Sequence, residues 1–283
     1  MGILINGKKI AQDILEALRI RVDILSKDGR TPSLTVILVG DNKASATYVR
    51  KKGEAAKKVG IDFTLKSYTA DISTDELINE INLVQKHDQP DGMIVQLPLP
   101  DHIDTHAVLN VLDPKRDVDC LTYENIGKLV MRQALFLPPT PAAILEIIRS
   151  QDKVLAGANA TIVGAGPLVG KPLAIMLMNE RASVTTCNSR TKDFNEKCAA
   201  ADILVSGVGK AGLITGGMIK DGAIVVDAGV DFVNGSMVGD VAVNEAVHHA
   251  SAVTPTPGGV GPVTVACLLR NVVLAAEHAI ELI

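Results

Sequence analysis

The chain of 283 residues is 47% hydrophobic and 21% charged, which supports two cores of ordinary size and excludes a disordered protein. A net charge of −4, without a long run of like charge, argues against nucleic acid or a membrane surface as a partner. We expect no targeting segment and no membrane-spanning stretch, and the four scattered cysteines fit reduced thiols in the cytosol.

The first third of the sequence alternates between helical and strand patterns. Apolar spacing and turn residues predict, in chain order, a helix over 13–25, a strand over 34–39, a helix over 44–59, a strand over 63–68, a helix over about 73–87 and a strand over 92–97. Strands that alternate with helices pair in parallel through right-handed crossovers. The pattern therefore predicts an α/β domain.

A proline-rich segment, Pro138-Pro139-Thr140-Pro141, predicts a domain boundary, because it continues neither a helix nor a strand. Beyond it the patterns predict a helix over 142–149, a strand over 160–163, a helix over 168–179 and strands over 183–187, 202–206 and 223–227. A hairpin over 232–238, turning at Asn234-Gly235, and a last helix over 263–280 follow. The last helix is apolar on most faces and is expected to return to the first domain.

We therefore predict two α/β domains with a cleft between them. The first comprises residues 1–138 with the C-terminal helix of about 263–283, and the second comprises residues 139–262. The second is predicted to be a Rossmann-like, doubly wound parallel sheet.

A glycine-rich turn follows the first strand of the second domain. Gly164, Ala165, Gly166 and Gly170 lie between that strand and a helix, with the spacing G-x-G-x-x-x-G. Such a turn lets the backbone approach a pyrophosphate, and the helix N terminus offers free N–H groups to its oxygens. The context favours a dinucleotide site over a purely structural turn.

The next strand indicates which dinucleotide is bound. It ends without the Asp or Glu that usually accepts a hydrogen bond from the ribose 2′-hydroxyl of NAD, and it continues into Ser189 and Arg190. A hydroxyl beside a guanidinium suits a 2′-phosphate. The alternative is that both residues only cap the next turn. We favour NADP, with NAD as the alternative.

Two more glycine clusters follow predicted strands, Gly207-Val208-Gly209 and Asp227-Ala228-Gly229-Val230. Ligands of open parallel sheets bind at the carboxyl ends of the strands. Either cluster alone would be an ordinary turn, but together they predict that backbone meets the cofactor there.

Candidate catalytic residues lie in the first domain. Lys51 and Lys52 follow Tyr48 by three and four residues on a predicted helix, and their spacing does not choose between them. Gln96 ends a predicted strand, where side chains face a ligand site. The two carboxylates of the segment Asp117-Val118-Asp119 lie in a predicted loop. Taken singly, each of these residues has an ordinary structural explanation.

Five segments occur in one order along the chain: Y-x-x-x-K at 48–52, V-Q-L-P-L-P at 95–100, D-V-D at 117–119, G-A-G-P-L-V-G-K-P at 164–172 and P-G-G-V-G-P at 257–262. Together they resemble the bifunctional methylenetetrahydrofolate dehydrogenase/methenyltetrahydrofolate cyclohydrolase family. The resemblance implies NADP-dependent oxidation of 5,10-methylenetetrahydrofolate and hydrolysis of the methenyl product to 10-formyltetrahydrofolate. It also implies a cytoplasmic homodimer that serves one-carbon metabolism and purine biosynthesis.

The resemblance assigns roles to individual residues. It selects Lys52 as the acid/base, with Tyr48 packing on the folate, Gln96 tuning the lysine and Asp119 binding the pterin. The folate is further contacted by Val95, Leu97, Pro257, Gly258 and Gly259. For the cofactor, the resemblance implies contacts from Gly164, Ala165, Gly166, Ser189 and Val230, and the argument on the 2′-phosphate adds Arg190.

The sequence departs from the usual family pattern at several positions. These are Gly166 for Ser, Ala165 for a frequent Arg, Asn188 for a frequent His, Pro139 for Cys, Cys120 for Gly and Thr256 for Val. None removes a catalytic group. The change at Ala165 leaves the 2′-phosphate to Ser189 and Arg190, so cofactor preference rests on these two residues.

Three alternatives remain from the sequence: a dehydrogenase-only relative, a shikimate-dehydrogenase-like enzyme, and a non-catalytic dinucleotide sensor. Retention of Lys52, Gln96 and Asp119 argues against the first, and the V-Q-L-P-L-P segment against the second. The sensor would bind cofactor without turnover.

His102 and His106 are spaced like a metal pair, but without further ligands at suitable spacing we expect no metal site.

Overall fold

A computed structural model describes residues 1–281, and the chain divides into two compact units. The three-stranded unit comprises Asp13–Pro138 and the chain from Val265 onward. The six-stranded unit comprises Met1–Gln12 and Pro139–Thr264.

The three-stranded unit is built on a parallel sheet flanked by helices. Its strands are β2 (Ser33–Val39), β3 (Asp62–Tyr68) and β4 (Gly92–Val95), in the order β3-β2-β4. Its helices are most of α1 (Gly7–Lys27), α2 (Lys43–Val59), α3 (Thr74–His87), α4 (Thr105–Asn110), α5 (Tyr123–Val130) and most of α10 (Val260–Glu281). Central β2 is an almost continuous apolar run because helices cover both faces of such a sheet.

Local sequence explains where these helices begin and end. Asn42 precedes α2 and accepts a hydrogen bond from the Ser45 amide, and Gly60 ends the helix in a left-handed conformation. Ser73 and Glu76 form a reciprocal capping box at the start of α3. These caps set where both helices begin and where α2 ends.

Helix α10 lies in the core of the three-stranded unit. Leu268, Leu269 and Val272 pack with side chains of α1 and β2. Over Val260–Ala279 its length and mean hydropathy of 1.5 would suit a membrane span, contrary to the expectation that no apolar stretch approaches that length. Burial in this core accounts for its apolar composition.

The six-stranded unit carries a fully parallel sheet in the order β1-β11-β8-β7-β5-β6. The strands are β1 (Ile3–Leu4), β5 (Asn159–Val163), β6 (Ser183–Cys187), β7 (Ile203–Ser206), β8 (Ile224–Asp227) and β11 (Ala252–Val253). Its helices include α6 (Pro139–Arg149), α7 (Gly170–Asn179), α8 (Phe194–Ala199) and α9 (Val243–Ala246). The predicted hairpin is present as β9 (Asp231–Val233) and β10 (Ser236–Val238).

The N terminus differs from the predicted domain bounds. Ile3 and Leu4 pair with Ala252 and Val253, so Met1–Gln12 groups with the second half of the chain. A two-residue strand carries no periodic signal, and its partner lies far along the sequence. Strand β4 also ends at Val95, two residues earlier than predicted.

Candidate active site

Lys52 and Gln96 are joined directly in the three-stranded unit. Lys52 Nζ donates a hydrogen bond of 3.0 Å to Gln96 Oε1. Gln96 Nε2 donates to the Leu97 carbonyl at 2.6 Å, which turns the amide oxygen toward the lysine. Lys51 is exposed, whereas Lys52 is half-buried. The structure therefore distinguishes the two lysines, because Lys52 and not Lys51 contacts Gln96.

Helix phase places Lys52 toward the protein. Ser45, Val49, Ala56 and Val59 are buried on α2, and residue 52 continues their alternating spacing of four and three. Tyr48 is half-buried one turn before Lys52. This phase was a signal in the sequence that could have separated Lys52 from Lys51.

Burial changes the pKa of Lys52. It lowers the pKa of the ammonium group, and the nearby Asp119 carboxylate partly opposes that shift. Burial likewise raises the pKa of Asp119, while Lys52 lowers it and Asp117 raises it. The two groups thus interact electrostatically, and Lys52 loses its proton more readily than a surface lysine.

The two carboxylates of the 117–119 segment differ in what they contact. Asp117 is buried and accepts hydrogen bonds from the Leu121 and Thr122 amides at 2.9 and 2.8 Å. It also accepts one from the Asn125 side chain at 2.9 Å. Asp117 therefore shapes the loop, which leaves Asp119 as the carboxylate beside Lys52.

Cys120 follows Asp119 in a left-handed conformation with φ of 57°. Its thiol is buried, and this burial raises its pKa well above the ordinary range, which disfavours the thiolate that a nucleophile requires. All four cysteines are buried and free of disulfides.

The segment after β4 carries two further predicted folate contacts. Val95 is the last residue of β4, and its side chain is buried in a hydrophobic cluster with Ile37 and Leu77. Leu97 is half-buried, and the Leu97–Pro98 peptide is cis.

The glycine turn of the six-stranded unit is sterically demanding at two positions. A Cβ atom at Gly170 would overlap the Gly164 carbonyl oxygen and lie 3.0 Å from Ala165 Cα. Gly164 has φ of 104°, and a Cβ there would lie 2.9 Å from the Gly207 carbonyl oxygen. Gly166 has open space around it, so this position does not require glycine, in agreement with the Ser that the family usually has there.

Helix α7 begins at this turn without a side-chain cap. In its first turn the Lys171 amide donates to the Gly166 carbonyl at 3.0 Å and Pro172 has no N–H, so among the described residues the Gly170 amide is the one that remains available to an anion. The turn and the helix start together form the cradle that a pyrophosphate requires.

The other two glycine clusters meet the same edge of the sheet. Gly207-Val208-Gly209 follows β7, and the segment Ala228-Gly229-Val230 follows β8. A Cβ at Gly209 would lie 3.1 Å from the Val230 carbonyl oxygen, and Val208 approaches the turn at Gly164. The three clusters therefore converge at the carboxyl edge.

Ser189 and Arg190 are exposed just after β6. The turn there is closed by its neighbours: the Asn188 amide donates to Thr191 Oγ1 at 2.8 Å, and the Arg190 amide donates to Asn188 Oδ1 at 2.9 Å. Among the described residues, the side chains of Ser189 and Arg190 have no hydrogen-bond or ion-pair partner. They are therefore available to a phosphate, and the turn does not need them as caps.

The P-G-G segment is packed against the start of α1. A Cβ at Gly7 would overlap the Gly259 carbonyl, and a Cβ at Gly258, where φ is 104°, would lie 3.7 Å from Lys8 Cε. Pro257 follows a cis peptide and is exposed.

The histidines singled out by spacing have separate partners. His102 Nε2 lies 2.9 Å from the Ile72 carbonyl oxygen, and His106 lies beside the Tyr123 ring. Within residues 1–281, no group of three or more His, Cys, Asp or Glu side chains is arranged to hold a metal ion.

Sequence reasoning did not single out a pair of buried carboxylates in the six-stranded unit. Asp227 was named only as part of a glycine cluster, and Asp240 was not named. Burial raises the pKa of Asp227 to about 6, while hydrogen bonds from the Val241 and Asp240 amides oppose that shift. A sequence signal for this pair did exist: Asp227 lies two residues before Gly229, and Asp240 directly follows Gly239.

Comparison with known proteins identifies the family. The catalytic-domain model of tetrahydrofolate dehydrogenase/cyclohydrolase matches residues 5–119, and the NAD(P)-binding-domain model of the same enzyme matches residues 138–280. The chain belongs to this tetrahydrofolate dehydrogenase/cyclohydrolase family. The family predicted from the sequence motifs is confirmed.

Relatives and solved structures agree with that assignment. The bifunctional protein FolD of Campylobacter concisus is 42% identical over 98% of this chain and 98% of its own length. The crystal structure of the bifunctional FolD enzyme from Campylobacter jejuni has a TM-score of 0.96 and 38% identity, covering 99% of this chain and 100% of that one. The Trypanosoma brucei enzyme, solved with NADP and an inhibitor, has a TM-score of 0.95 and 35% identity over 99% of both chains.

The fold class is confirmed by the same structures: two α/β domains, the second Rossmann-like. A shikimate 5-dehydrogenase from Thermus thermophilus shares the fold alone, with 17% identity and a TM-score of 0.52 over 87% of this chain and 99% of that one. The shikimate-dehydrogenase-like alternative therefore accounts for architecture and not for the motifs.

Proposed function

We propose that this family member oxidises 5,10-methylenetetrahydrofolate with NADP and hydrolyses the methenyl product to 10-formyltetrahydrofolate. The observation that carries the proposal is the hydrogen bond between Lys52 Nζ and Gln96 Oε1, beside the carboxylate of Asp119. A lysine with a lowered pKa can exchange protons near neutral pH, which the hydrolytic step requires.

The residues of the six-stranded unit suit a phosphorylated dinucleotide. The turn at Gly164 to Gly166 and the uncapped start of α7 would hold the pyrophosphate, and Ser189 with Arg190 would hold the 2′-phosphate. Val230 would contact the cofactor at the end of β8. When bound, the dinucleotide supplies a hydride acceptor; NAD would lack the 2′-phosphate that Arg190 favours.

In the hydrolytic step, a water oxygen bonds to the methenyl carbon of the folate and loses a proton to the neutral Lys52 amine. The hydroxyl on that carbon then loses its remaining proton as it becomes the formyl carbonyl, the bond from the carbon to folate N5 breaks, and N5 takes up one proton. Two protons leave the water and one goes to N5, so one proton is released overall. Gln96 accepts a hydrogen bond from Lys52 and holds its amine in place.

The remaining contacts orient the folate. The pterin presents neighbouring N–H donors, for which the Asp119 carboxylate is a two-point acceptor. Tyr48 would pack on the folate from the helix that carries Lys52, with Val95 and Leu97 contributing from the end of β4. Pro257, Gly258 and Gly259 would also contact the folate.

The wider setting follows from this reaction. The product is a formyl donor for one-carbon metabolism, including purine biosynthesis. We further propose a cytoplasmic homodimer, which size-exclusion chromatography with light scattering would test.

One assay tests the proposed function. Pure protein is incubated with methylenetetrahydrofolate and NADP or NAD, and the methenyl and formyl products are followed separately. Formation of both with NADP is expected. Methenyl product alone would indicate a dehydrogenase-only enzyme, and cofactor binding without turnover would indicate a sensor.

A matched pair of variants tests the lysine. Lys52→Met is expected to abolish formation of 10-formyltetrahydrofolate, because the proton acceptor is lost. Lys51→Met removes an exposed lysine from the same helix and is expected to leave both activities unchanged. Undiminished hydrolysis by Lys52→Met would contradict the role given to Lys52.

A further inference from the structure

Two buried carboxylates at the carboxyl edge of the six-stranded sheet take no part in the steps above. Asp227 ends β8 and is 1% exposed; Asp240 follows the hairpin and is 0% exposed. Burying a carboxylate is costly unless donors surround it, so the donors indicate what each carboxylate does.

Asp240 binds the segment that follows β7. Its Oδ2 accepts hydrogen bonds of 2.7 Å from Ser206 Oγ and from the Val208 amide. Its Oδ1 accepts one of 2.7 Å from the Lys210 amide. Three short bonds from alternate residues of the stretch 206–210, two of them from backbone amides, fix that loop.

Asp227 in turn holds Asp240. Its Oδ1 accepts from the Gly229 amide at 3.0 Å and from the Asp240 amide at 3.1 Å. Its Oδ2 accepts from the Val241 amide at 3.0 Å. The loops after β7 and β8 and the segment 239–241 are therefore joined through two side chains.

Glycines make room for this arrangement. A Cβ at Gly229 would overlap the Asp240 carboxyl group. A Cβ at Gly239 would lie 2.6 Å from Asp227 Cγ and 2.7 Å from Thr256 Oγ1. The backbone passes so close to both carboxylates that neither position has space for a side chain.

The loop that Asp240 fixes is one of the three that converge at the cofactor edge. It presents Val208, which is 48% exposed, and a Cβ at Gly209 would lie only 3.1 Å from the Val230 carbonyl oxygen. A dinucleotide lying across this edge meets backbone whose shape depends on Asp240.

We propose that Asp240 is a positioning residue for the nicotinamide dinucleotide, acting through the loop 206–210. The proposal rests on the bifunctional activity described above. That activity supplies an internal control, because hydrolysis of methenyltetrahydrofolate consumes no dinucleotide whereas the oxidation does.

The test compares both activities of Asp240→Asn. The amide replaces one acceptor oxygen with a donor, which leaves a loop N–H without its acceptor. The KM for NADP in the oxidation is expected to rise about tenfold. Hydrolysis of methenyltetrahydrofolate, measured without dinucleotide, is expected to change less than twofold.

Asp202→Asn is the matched control. Asp202 precedes β7 at the opposite edge of the sheet, where it accepts from the Asn159 amide at 2.9 Å and from Lys220 Nζ at 2.7 Å. This change disturbs the same sheet away from the cofactor edge, so the KM for NADP should not rise.

Ser206→Ala is a milder second variant, because it removes one donor to Asp240 and keeps the carboxylate. A smaller rise in the KM for NADP is expected, again without an effect on hydrolysis. An unchanged KM in both cofactor-edge variants, or equal losses in both activities, would overturn the proposal.

Direct titration of NADP into wild-type protein and the variants separates this proposal from the proposed function. If the wild type binds NADP but turns over no folate, the proposed function fails while the titration still measures the effect of Asp240. Equal affinities for wild type and Asp240→Asn would then refute the positioning role alone.

Discussion

Gly170→Ala is expected to damage the cofactor turn through a steric conflict that the structure defines. The added Cβ would lie 2.8 Å from Gly164 C and 3.0 Å from Ala165 Cα, where ordinary contact begins near 3.4 Å. These neighbours are backbone atoms, and the Cβ would also overlap the Gly164 carbonyl oxygen, so relief requires the turn to move by roughly 1 Å or more. Overpacking of this kind costs about 1–3 kcal/mol.

Gly166→Ala is the matched control, because a Cβ there meets nothing within 4 Å. Its effect on stability is expected to stay within about 0.5 kcal/mol. Both changes add the same methyl group to one turn, so a difference between them reports on space alone.

Thermal unfolding and cofactor titration give the readouts. A loss of about 2 kcal/mol lowers the melting temperature by about 4–8 °C in a domain of this size. Gly170→Ala should also weaken NADP binding, because the carbonyl it displaces belongs to the turn that meets the pyrophosphate. Indistinguishable stability and affinity for the two variants would refute the steric reasoning.

Two other predictions concern the three-stranded unit. Gln96→Glu places a negative charge beside Lys52 and raises the pKa of the ammonium group, so the neutral amine appears only at higher pH. The rising limb of the pH profile for hydrolysis should move to higher pH in this variant, and an unmoved or lowered limb would contradict the proposed proton transfer. Cys120 has a φ of 57°, a conformation that glycine adopts without strain. Cys120→Gly should therefore be more stable than Cys120→Ala by about 1 kcal/mol in urea denaturation. Equal stabilities would exclude strain at this position.

Much of the fold could be predicted because its signals are local. The apolar run of β2, the capping residues Ser73 and Glu76, and the turn at Asn234-Gly235 each specify structure within a few residues. Helices α4 and α5 were missed although Asp104 and Thr122 accept hydrogen bonds from their first turns, which is a capping signal readable in the sequence.

The site could be predicted only in part. Helix phase could have separated Lys52 from Lys51, but the hydrogen bond from Lys52 to Gln96 joins residues 44 positions apart and is seen only in the structure. The role of Asp240 was not predictable from its neighbours in sequence, because its partners Ser206 and Lys210 lie on another loop. Long-range hydrogen bonds leave no periodic trace in the chain.

The pairing of Ile3 with Ala252 has a consequence for biosynthesis. Translation proceeds at about 5–20 residues per second, so the first strand waits on the order of 10–50 s before its partner emerges from the ribosome. Ile3 and Leu4 remain more than half exposed even in the folded protein. Leaving them unpaired during synthesis therefore exposes little additional apolar surface. The edge of the larger sheet is therefore among the last parts of the newborn chain to be completed.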